Sequence, residues 1–177
     1  MKIGIDIDNV ITNTFEELSH YFNHFMRKEF TPPEAIEAMR KEKLKMVGYW
    51  FLTWRRGLLT QVKPIAGARE TIRLLHAEHQ IALITSRMPV FNRQTKIWLS
   101  RHDVPYHELH HAKEKHKYKK AGGCRYFIED NLEEAEVLAD HCEKIFLFDY
   151  PWNRRTTRDN IIRVNGWRDI EALVNAG

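Results

Sequence analysis

The chain has 177 residues, of which 43% are hydrophobic and 29% are charged. This composition is typical of globular proteins, and the length is that of one domain with or without a small insertion. The net charge of +4 at pH 7 is too small to indicate a nucleic-acid partner. No run approaches the ~20 apolar residues of a membrane span, and Asp6 stands where a signal peptide would still be apolar. We therefore expect a cytoplasmic protein that binds neither a membrane nor nucleic acid.

The two cysteines, Cys124 and Cys142, are too few to form a disulfide framework, and they have no CxxC spacing. We expect both to be buried, reduced thiols, as is usual in a reducing compartment. The sequence allows a homodimer, but it does not determine the oligomeric state.

The first predicted element is a buried strand at residues 2–7, which are rich in β-branched side chains. After it, residues 14–63 contain only helix-like stretches, at 15–30, 33–47 and 49–59. We interpret this segment as a small helical cap inserted after the first strand. The expected division is a core of residues 1–13 and 64–177 and a cap of residues 14–63.

Beyond the cap, helical and strand patterns alternate along the chain. They fall at residues 68–78 (helix), 80–84 (strand), 92–102 (helix), 125–128 (strand), 132–141 (helix), 144–148 (strand) and 161–164 (strand). Such alternation is typical of an α/β fold with a parallel sheet. The sequence therefore predicts a three-layer, Rossmann-like core around a parallel sheet.

Two aspartates lie at the end of the first predicted strand. Asp6 and Asp8 point to the same side, because strand side chains repeat every two residues. Ligands of open parallel sheets bind at this carboxyl edge. Two neighbouring carboxylates repel each other, so a cation such as Mg²⁺ is expected beside them. The alternative is that both aspartates only cap the following helix; an EF-hand loop is excluded because Ile11 stands where that loop needs glycine.

Polar residues also follow two later strands at the same edge. Residues 85–87, TSR, supply hydroxyls and a guanidinium suited to an anion. Residues 129–131, EDN, form a second acidic group directly before a helix. Such residues often cap helices, and this alternative stays open for Glu129 and Asn131.

The order of these groups resembles the haloacid dehalogenase superfamily of phosphotransferases, over residues 1 to about 153. Residues 6–10, DIDNV, look like its first motif, which implies that Asp6 is the nucleophile and Asp8 the general acid and base. A carboxylate can accept a phosphoryl group and so divide one hydrolysis into two displacements.

The second and fourth motifs of the superfamily also have counterparts. Residues 84–87, ITSR, look like the second motif, whose hydroxyl residue would be Thr85. Residues 127–130, FIED, look like the fourth, in which Asp130 would bind magnesium. The resemblance thus implies a Mg²⁺ cofactor on Asp6, Asp130 and the main-chain carbonyl of Asp8.

The third motif is a lysine upstream of the later acidic strand. The candidates are Lys113, Lys115, Lys117, Lys119 and Lys120. The spacing of 13 residues between Lys115 and Glu129 fits the nucleotidase-like members best. We therefore expect Lys115 to hold a phosphate oxygen and to tether Asp6.

Residues 148–154, FDYPWNR, narrow the resemblance to the branch of the cytosolic 5′(3′)-deoxyribonucleotidases and their bacterial relatives. This branch removes phosphate from nucleoside monophosphates, and aromatic residues of its caps hold the base. Trp50 and Trp54 of the predicted cap could act in this way, or they could form the core of the cap. We expect the substrate to contact them together with Asn9, Ser86 and Arg87.

Two other functions remain open at this point. One is a phosphatase for another small phosphomonoester, and the other is a module that binds nucleotides or RNA without turnover. The presence of both Asp6 and Asp8 argues against the second.

Overall fold

The computed structural model describes residues 1–155 and 158–176. Within these residues six strands form one sheet, in which every pairing is parallel. The strands are β1 (Lys2–Ile5), β2 (Gln80–Thr85), β3 (Glu108–His111), β4 (Cys124–Glu129), β5 (Lys144–Phe148) and β6 (Ile161–Val164). Their order across the sheet is β3-β2-β1-β4-β5-β6, so β1 lies between β2 and β4.

Seven α-helices occur in the same residues. They are α1 (Thr14–Met26), α2 (Pro32–Lys41), α3 (Lys43–Arg55), α4 (Ala68–Glu78), α5 (Asn92–Arg101), α6 (Leu132–Leu138) and α7 (Trp167–Asn175). Tyr126 and Ile128 of β4 pack in an apolar cluster with α4, α5 and α7, whereas Phe127 packs on the other face with α6. Both faces of the sheet are covered, which explains the nearly continuous apolar strands. The predicted three-layer α/β core is confirmed.

Helices α1 to α3 have an apolar cluster of their own. Phe22, Ala35, Met46 and Tyr49 are buried in it, and the rings of Phe22 and Tyr49 meet edge to face at 5.4 Å. The division into a core and a cap of residues 14–63 stays a prediction. Across the described ranges, no helix has both the length and the apolar character that a membrane crossing requires.

The structure differs from the predicted elements in three places. Strand β3, with the sequence ELHH, was not predicted because its half-buried edge position needs few apolar residues. Helix α7 was likewise missed. The break between α2 and α3 falls at Glu42 rather than near residue 48, and no glycine or proline marks it in the sequence. Both cysteines are buried and unpaired, as expected.

Candidate active site

The carboxyl ends of β1 and β4 bring two acidic segments together. The amide of Asp6 donates to the carbonyl of Ile128 at 3.0 Å, which continues the β1/β4 pairing past the end of β1. One carboxylate oxygen from each of Asp6, Glu129 and Asp130 lies within 4.8 Å of the others, and all three residues are buried. The acids that the sequence placed at one sheet edge are therefore neighbours.

Lys117 pairs with two of these three acids. Its Nζ lies 2.8 Å from Oδ1 of Asp6 and 2.8 Å from Oε2 of Glu129, and its side chain is 3% exposed. Lys115 is 57% exposed and instead pairs with Glu133 at 2.9 Å. The expectation that Lys115 tethers Asp6 is thus wrong. Lys115 has a positive φ of 60°, and the chain turns there before Lys117 enters the site.

The site has an excess of negative charge. Among the described residues, the carboxylates of Asp6, Glu129 and Asp130 lie close together, and Lys117 is the ammonium group that pairs with two of them. Burial, together with the charges of Glu129 and Asp8, raises the pKa of Asp6 to about 7 against the opposing effect of Lys117. Burial and the charge of Glu129 also raise the pKa of Asp130. Burial opposes the charge on Lys117, but Asp6 and Glu129 raise its pKa overall, so it stays protonated. An added cation would offset this excess.

The free oxygens of the cluster fit a hard cation. Within the described ranges, Asp6 uses Oδ1 for Lys117 and Asp130 uses Oδ2 for Asn9, so each keeps its second oxygen available. Both oxygens of Glu129 are engaged, one by Lys117 and one by backbone amides. Asp6 and Asp130 are therefore the residues that could hold Mg²⁺, which prefers carboxylate oxygens.

Asp8 is held by a guanidinium. Arg87 donates to it from Nε at 2.9 Å and from Nη2 at 2.7 Å, and Nη1 of Arg87 donates to Thr95 at 3.1 Å. The hydroxyl of Thr14 donates to Asp8 as well. Burial raises the pKa of Asp8, but Arg87 and Thr14 lower it overall. Arg87 was expected to bind the substrate anion, and in the structure its fork is engaged by Asp8.

The two hydroxyl residues after β2 have different surroundings. Thr85 is completely buried, and its Oγ1 accepts a hydrogen bond from the amide of Arg87 at 3.2 Å. Ser86 lines the cavity in front of the acids. The roles assigned to both residues stay predictions.

Asn9 links the two acidic segments. Its backbone has a φ of 59°, and its Nδ2 donates to Oδ2 of Asp130 at 3.1 Å. Its Oδ1 accepts from the amide of Phe15 at 2.8 Å. Asn9 also lines the cavity in front of the acids, so its expected contact with the substrate stays a prediction beside its hydrogen bond to Asp130.

A cavity of about 980 Å³ opens from the acids toward α1, α2 and α3. Its apolar lining includes Phe15, Leu18, Phe22, Ala35, Met39, Tyr49 and Trp50. Trp50 contacts Tyr49 and Phe91 edge to face. Trp54 does not line this cavity: it is 41% exposed and, with Phe51, borders an adjoining surface groove that Trp50 also lines. Of the two predicted base-binding tryptophans, Trp50 alone lines the cavity.

The loop after β5 adds residues whose roles were not predicted. Tyr150 and Trp152 stack with ring centroids 4.3 Å apart, and Trp152 lines the cavity. The hydroxyl of Tyr150 donates to the carbonyl of Asn9 at 2.9 Å. Only the family likeness of residues 148–154 had marked this loop in the sequence.

Comparison with known proteins gives a matching family and similar nucleotidases. Residues 1–176 match the family described as "5' nucleotidase, deoxy (Pyrimidine), cytosolic type C protein" (NT5C). A nucleotidase of Clostridium acetobutylicum is 25% identical over 180 residues, covering 99% of this chain and 94% of that protein. A "Putative 5'(3')-deoxyribonucleotidase" of Chlorobaculum tepidum is 24% identical over 188 residues, covering 98% of this chain and 90% of that protein.

A solved structure gives the same fold. The "putative HAD-hydrolase YfnB" of Bacillus subtilis, bound to magnesium, superposes with a TM-score of 0.63 at 13% identity, with 98% of each chain covered. At this identity the likeness concerns the fold alone. Because the family match spans residues 1–176 and the fold is that of the haloacid dehalogenase superfamily, the chain belongs to the cytosolic type C 5′ nucleotidase family and is a phosphoric monoester hydrolase.

Proposed function

We propose that the protein is a Mg²⁺-dependent nucleotidase that hydrolyses (deoxy)nucleoside monophosphates through a phosphorylated Asp6. The observation that carries this proposal is the buried Asp6, which borders the cavity beside Lys117 at 2.8 Å and close to Asp130. The names of the nucleotidase relatives support the substrate class. The cavity of about 980 Å³ has room for a nucleoside as well as a phosphate group.

The residues that would hold the metal are Asp6, Asp130 and the main-chain carbonyl of Asp8. Two aspartates with free oxygens and an uncompensated negative charge support this assignment, as does the magnesium in the YfnB structure. When bound, Mg²⁺ supplies positive charge that offsets the repulsion between Asp6 and the phosphate.

The side chains divide the chemistry into two displacements. A carboxylate oxygen of Asp6 attacks phosphorus, the bond to the ester oxygen breaks, and that oxygen leaves with a proton from Asp8. Because Arg87 and Thr14 lower the pKa of Asp8 in the free protein, Asp8 takes up this proton when the substrate dianion binds. Water then attacks the phosphorus of the acyl phosphate and gives a proton to Asp8. The bond between phosphorus and the Asp6 oxygen breaks, so that phosphate leaves and the carboxylate of Asp6 is restored. Lys117 holds Asp6 in place, and Arg87 orients Asp8 through its two hydrogen bonds.

The segment 14–63 would act as a cap that binds the non-reacting part of the substrate. Trp50 and Tyr49 of α3 line the cavity. Stacking of a base on one aromatic ring contributes about 1–3 kcal/mol. A closed cap would also exclude bulk water from the phosphorylated Asp6.

The test is Asp6→Asn, assayed with a panel of deoxynucleoside monophosphates and with phosphoglycolate, each with Mg²⁺ and with EDTA. We expect the substitution to lower kcat by about a thousandfold or more without loss of fold, because it is isosteric. Asp140→Asn is the matched control, since Asp140 is exposed and pairs only with Arg158 in the described residues.

Each result of the panel has a defined meaning. Parent activity that persists in EDTA would contradict the metal requirement. A preference of the parent for phosphoglycolate over every nucleotide would favour the phosphatase of small esters. Binding of nucleotides without hydrolysis of any ester would leave a non-catalytic module.

A further inference from the structure

The loop after β5 is joined to the site by one buried amide side chain. Asn153 is 1% exposed, and its Nδ2 donates to the carbonyl of Asp130 at 2.6 Å and to that of Phe148 at 2.8 Å. We propose that Asn153 is a positioning residue that fixes Asp130 for metal binding. This inference rests on the metal site of the proposed function.

The hydrogen bonds of Asn153 use its full capacity. Its Oδ1 accepts from the amide of Tyr150 at 3.2 Å and from Nη1 of Arg163 at 2.9 Å. An amide has two donor hydrogens and an oxygen with two lone pairs, and all four are engaged. Aspartate has the same shape but lacks the two donors. The position therefore requires asparagine, because one of its two donors holds the carbonyl of Asp130, the residue that follows β4.

The loop reaches Asp130 by a second route as well. The hydroxyl of Tyr150 donates to the carbonyl of Asn9 at 2.9 Å, and the side chain of Asn9 donates to Oδ2 of Asp130 at 3.1 Å. Asn153 thus holds the main chain of Asp130, while Tyr150 supports the residue that orients its carboxylate. Groups that orient a metal ligand in this way commonly change metal affinity by about 10–100-fold when they are removed.

The chain offers a matched control in Asn160. Its Nδ2 also donates to two carbonyls, those of Ala139 at 2.8 Å and Cys142 at 3.5 Å. These carbonyls lie beyond the C-terminal end of α6, and Asn160 does not line the cavity. Asn160→Asp therefore makes the same chemical change away from the acidic group.

The experiment is a direct calorimetric titration of parent, Asn153→Asp and Asn160→Asp with Mg²⁺, together with their unfolding temperatures. We expect Asn153→Asp to raise the Kd for Mg²⁺ by about tenfold or more. Asn160→Asp should leave this Kd within about twofold of the parent value. The sign is informative, because a new negative charge near the cluster would by itself tighten cation binding. Weaker Mg²⁺ binding in Asn153→Asp would therefore show that Asp130 is no longer held in position, since the added charge acts in the opposite direction.

If Asn153→Asp does not fold, Asn153→Ser takes its place, because serine keeps only one donor for the two carbonyls that Asn153 holds; we expect the same rise in Kd. A further variant tests the second route separately. Tyr150→Phe removes only the hydroxyl that donates to Asn9 and keeps the ring stacked on Trp152. We expect Tyr150→Phe to raise the Kd for Mg²⁺ by about threefold.

An unchanged Kd in a folded Asn153→Asp, or an equal change in Asn160→Asp, would overturn the role of Asn153. If Asn153→Asp does not fold, an unchanged Kd in a folded Asn153→Ser would do so, whereas an unchanged Kd in Tyr150→Phe would overturn only the second route through Asn9. A parent protein that binds no Mg²⁺ would instead overturn the proposed metal site.

Discussion

Arg87 holds the carboxylate of Asp8 with two hydrogen bonds, from Nε at 2.9 Å and from Nη2 at 2.7 Å. The pair joins the turn after β1 to the turn after β2, and Arg87 is only 7% exposed. A guanidinium fixed in this way sets the direction of the carboxylate. The guanidinium of Arg87, which the sequence suggested as a binder of the substrate anion, therefore orients Asp8, the proposed general acid and base.

Arg87→Lys should lower kcat by about tenfold or more, because lysine keeps the charge but has no planar fork to hold both oxygens of Asp8. The Kd for Mg²⁺ should stay at the parent value. Steady-state kinetics and a metal titration measure the two quantities. Arg93→Lys on the exposed side of α5 is the control. If Arg87→Lys has the same kcat as Arg93→Lys, Arg87 does not orient Asp8 for catalysis.

Lys117→Met should be far more harmful than Lys115→Met. Removal of the buried Lys117 leaves Asp6 and Glu129 unpaired, which we expect to lower the free energy of unfolding by about 3 kcal/mol and to abolish turnover. Lys115 is exposed and pairs with Glu133, so its loss should change little. Urea unfolding and kinetics of both variants provide the comparison, and equal small losses would show that neither lysine serves the site.

Asp130→Asn should raise the Mg²⁺ concentration for half-maximal activity by about tenfold or more. Without metal, the variant should be at least as stable as the parent. The fold raises the pKa of Asp130 through burial and Glu129, so its ionised form destabilises the folded state above the unfolded pKa. Metal titration of activity and thermal unfolding in EDTA test both parts. A normal titration would move the ligand role to another residue.

Trp50→Ala should lower kcat/KM for a deoxynucleoside monophosphate and barely change it for phosphoglycolate, because Trp50 lines the cavity and only the larger substrate reaches it. Trp54→Ala, at the adjoining surface groove and not in the cavity, should alter neither. The measured quantity is the mutant-to-parent ratio for the nucleotide divided by that for the small ester. Unfolding is followed in parallel, since a lost ring also weakens packing. A quotient near one for Trp50→Ala would show that Trp50 does not bind the base and serves only the packing of the cap.

The sequence by itself determined the α/β class and the edge at which the acids lie. Apolar runs alternating with amphipathic stretches specify strands and helices locally. Because parallel strands share one carboxyl edge, the residues that follow β1, β2 and β4 had to lie at that same edge of the sheet. The proximity of Asp6 and Asp130 required one fact more, that β4 lies beside β1 in the folded sheet.

Tertiary structure decided what lies between regular elements or depends on packing. Lys117 and Lys115 are chemically equal in the sequence, and only the path of the chain from residue 111 to 124 buries one and exposes the other. Trp50 and Trp54 are one helical turn apart, yet only Trp50 faces the cavity. Strand β3 is recognisable only from its pairing with β2. Each of these outcomes follows from long-range contacts, which local periodicity and propensity do not contain.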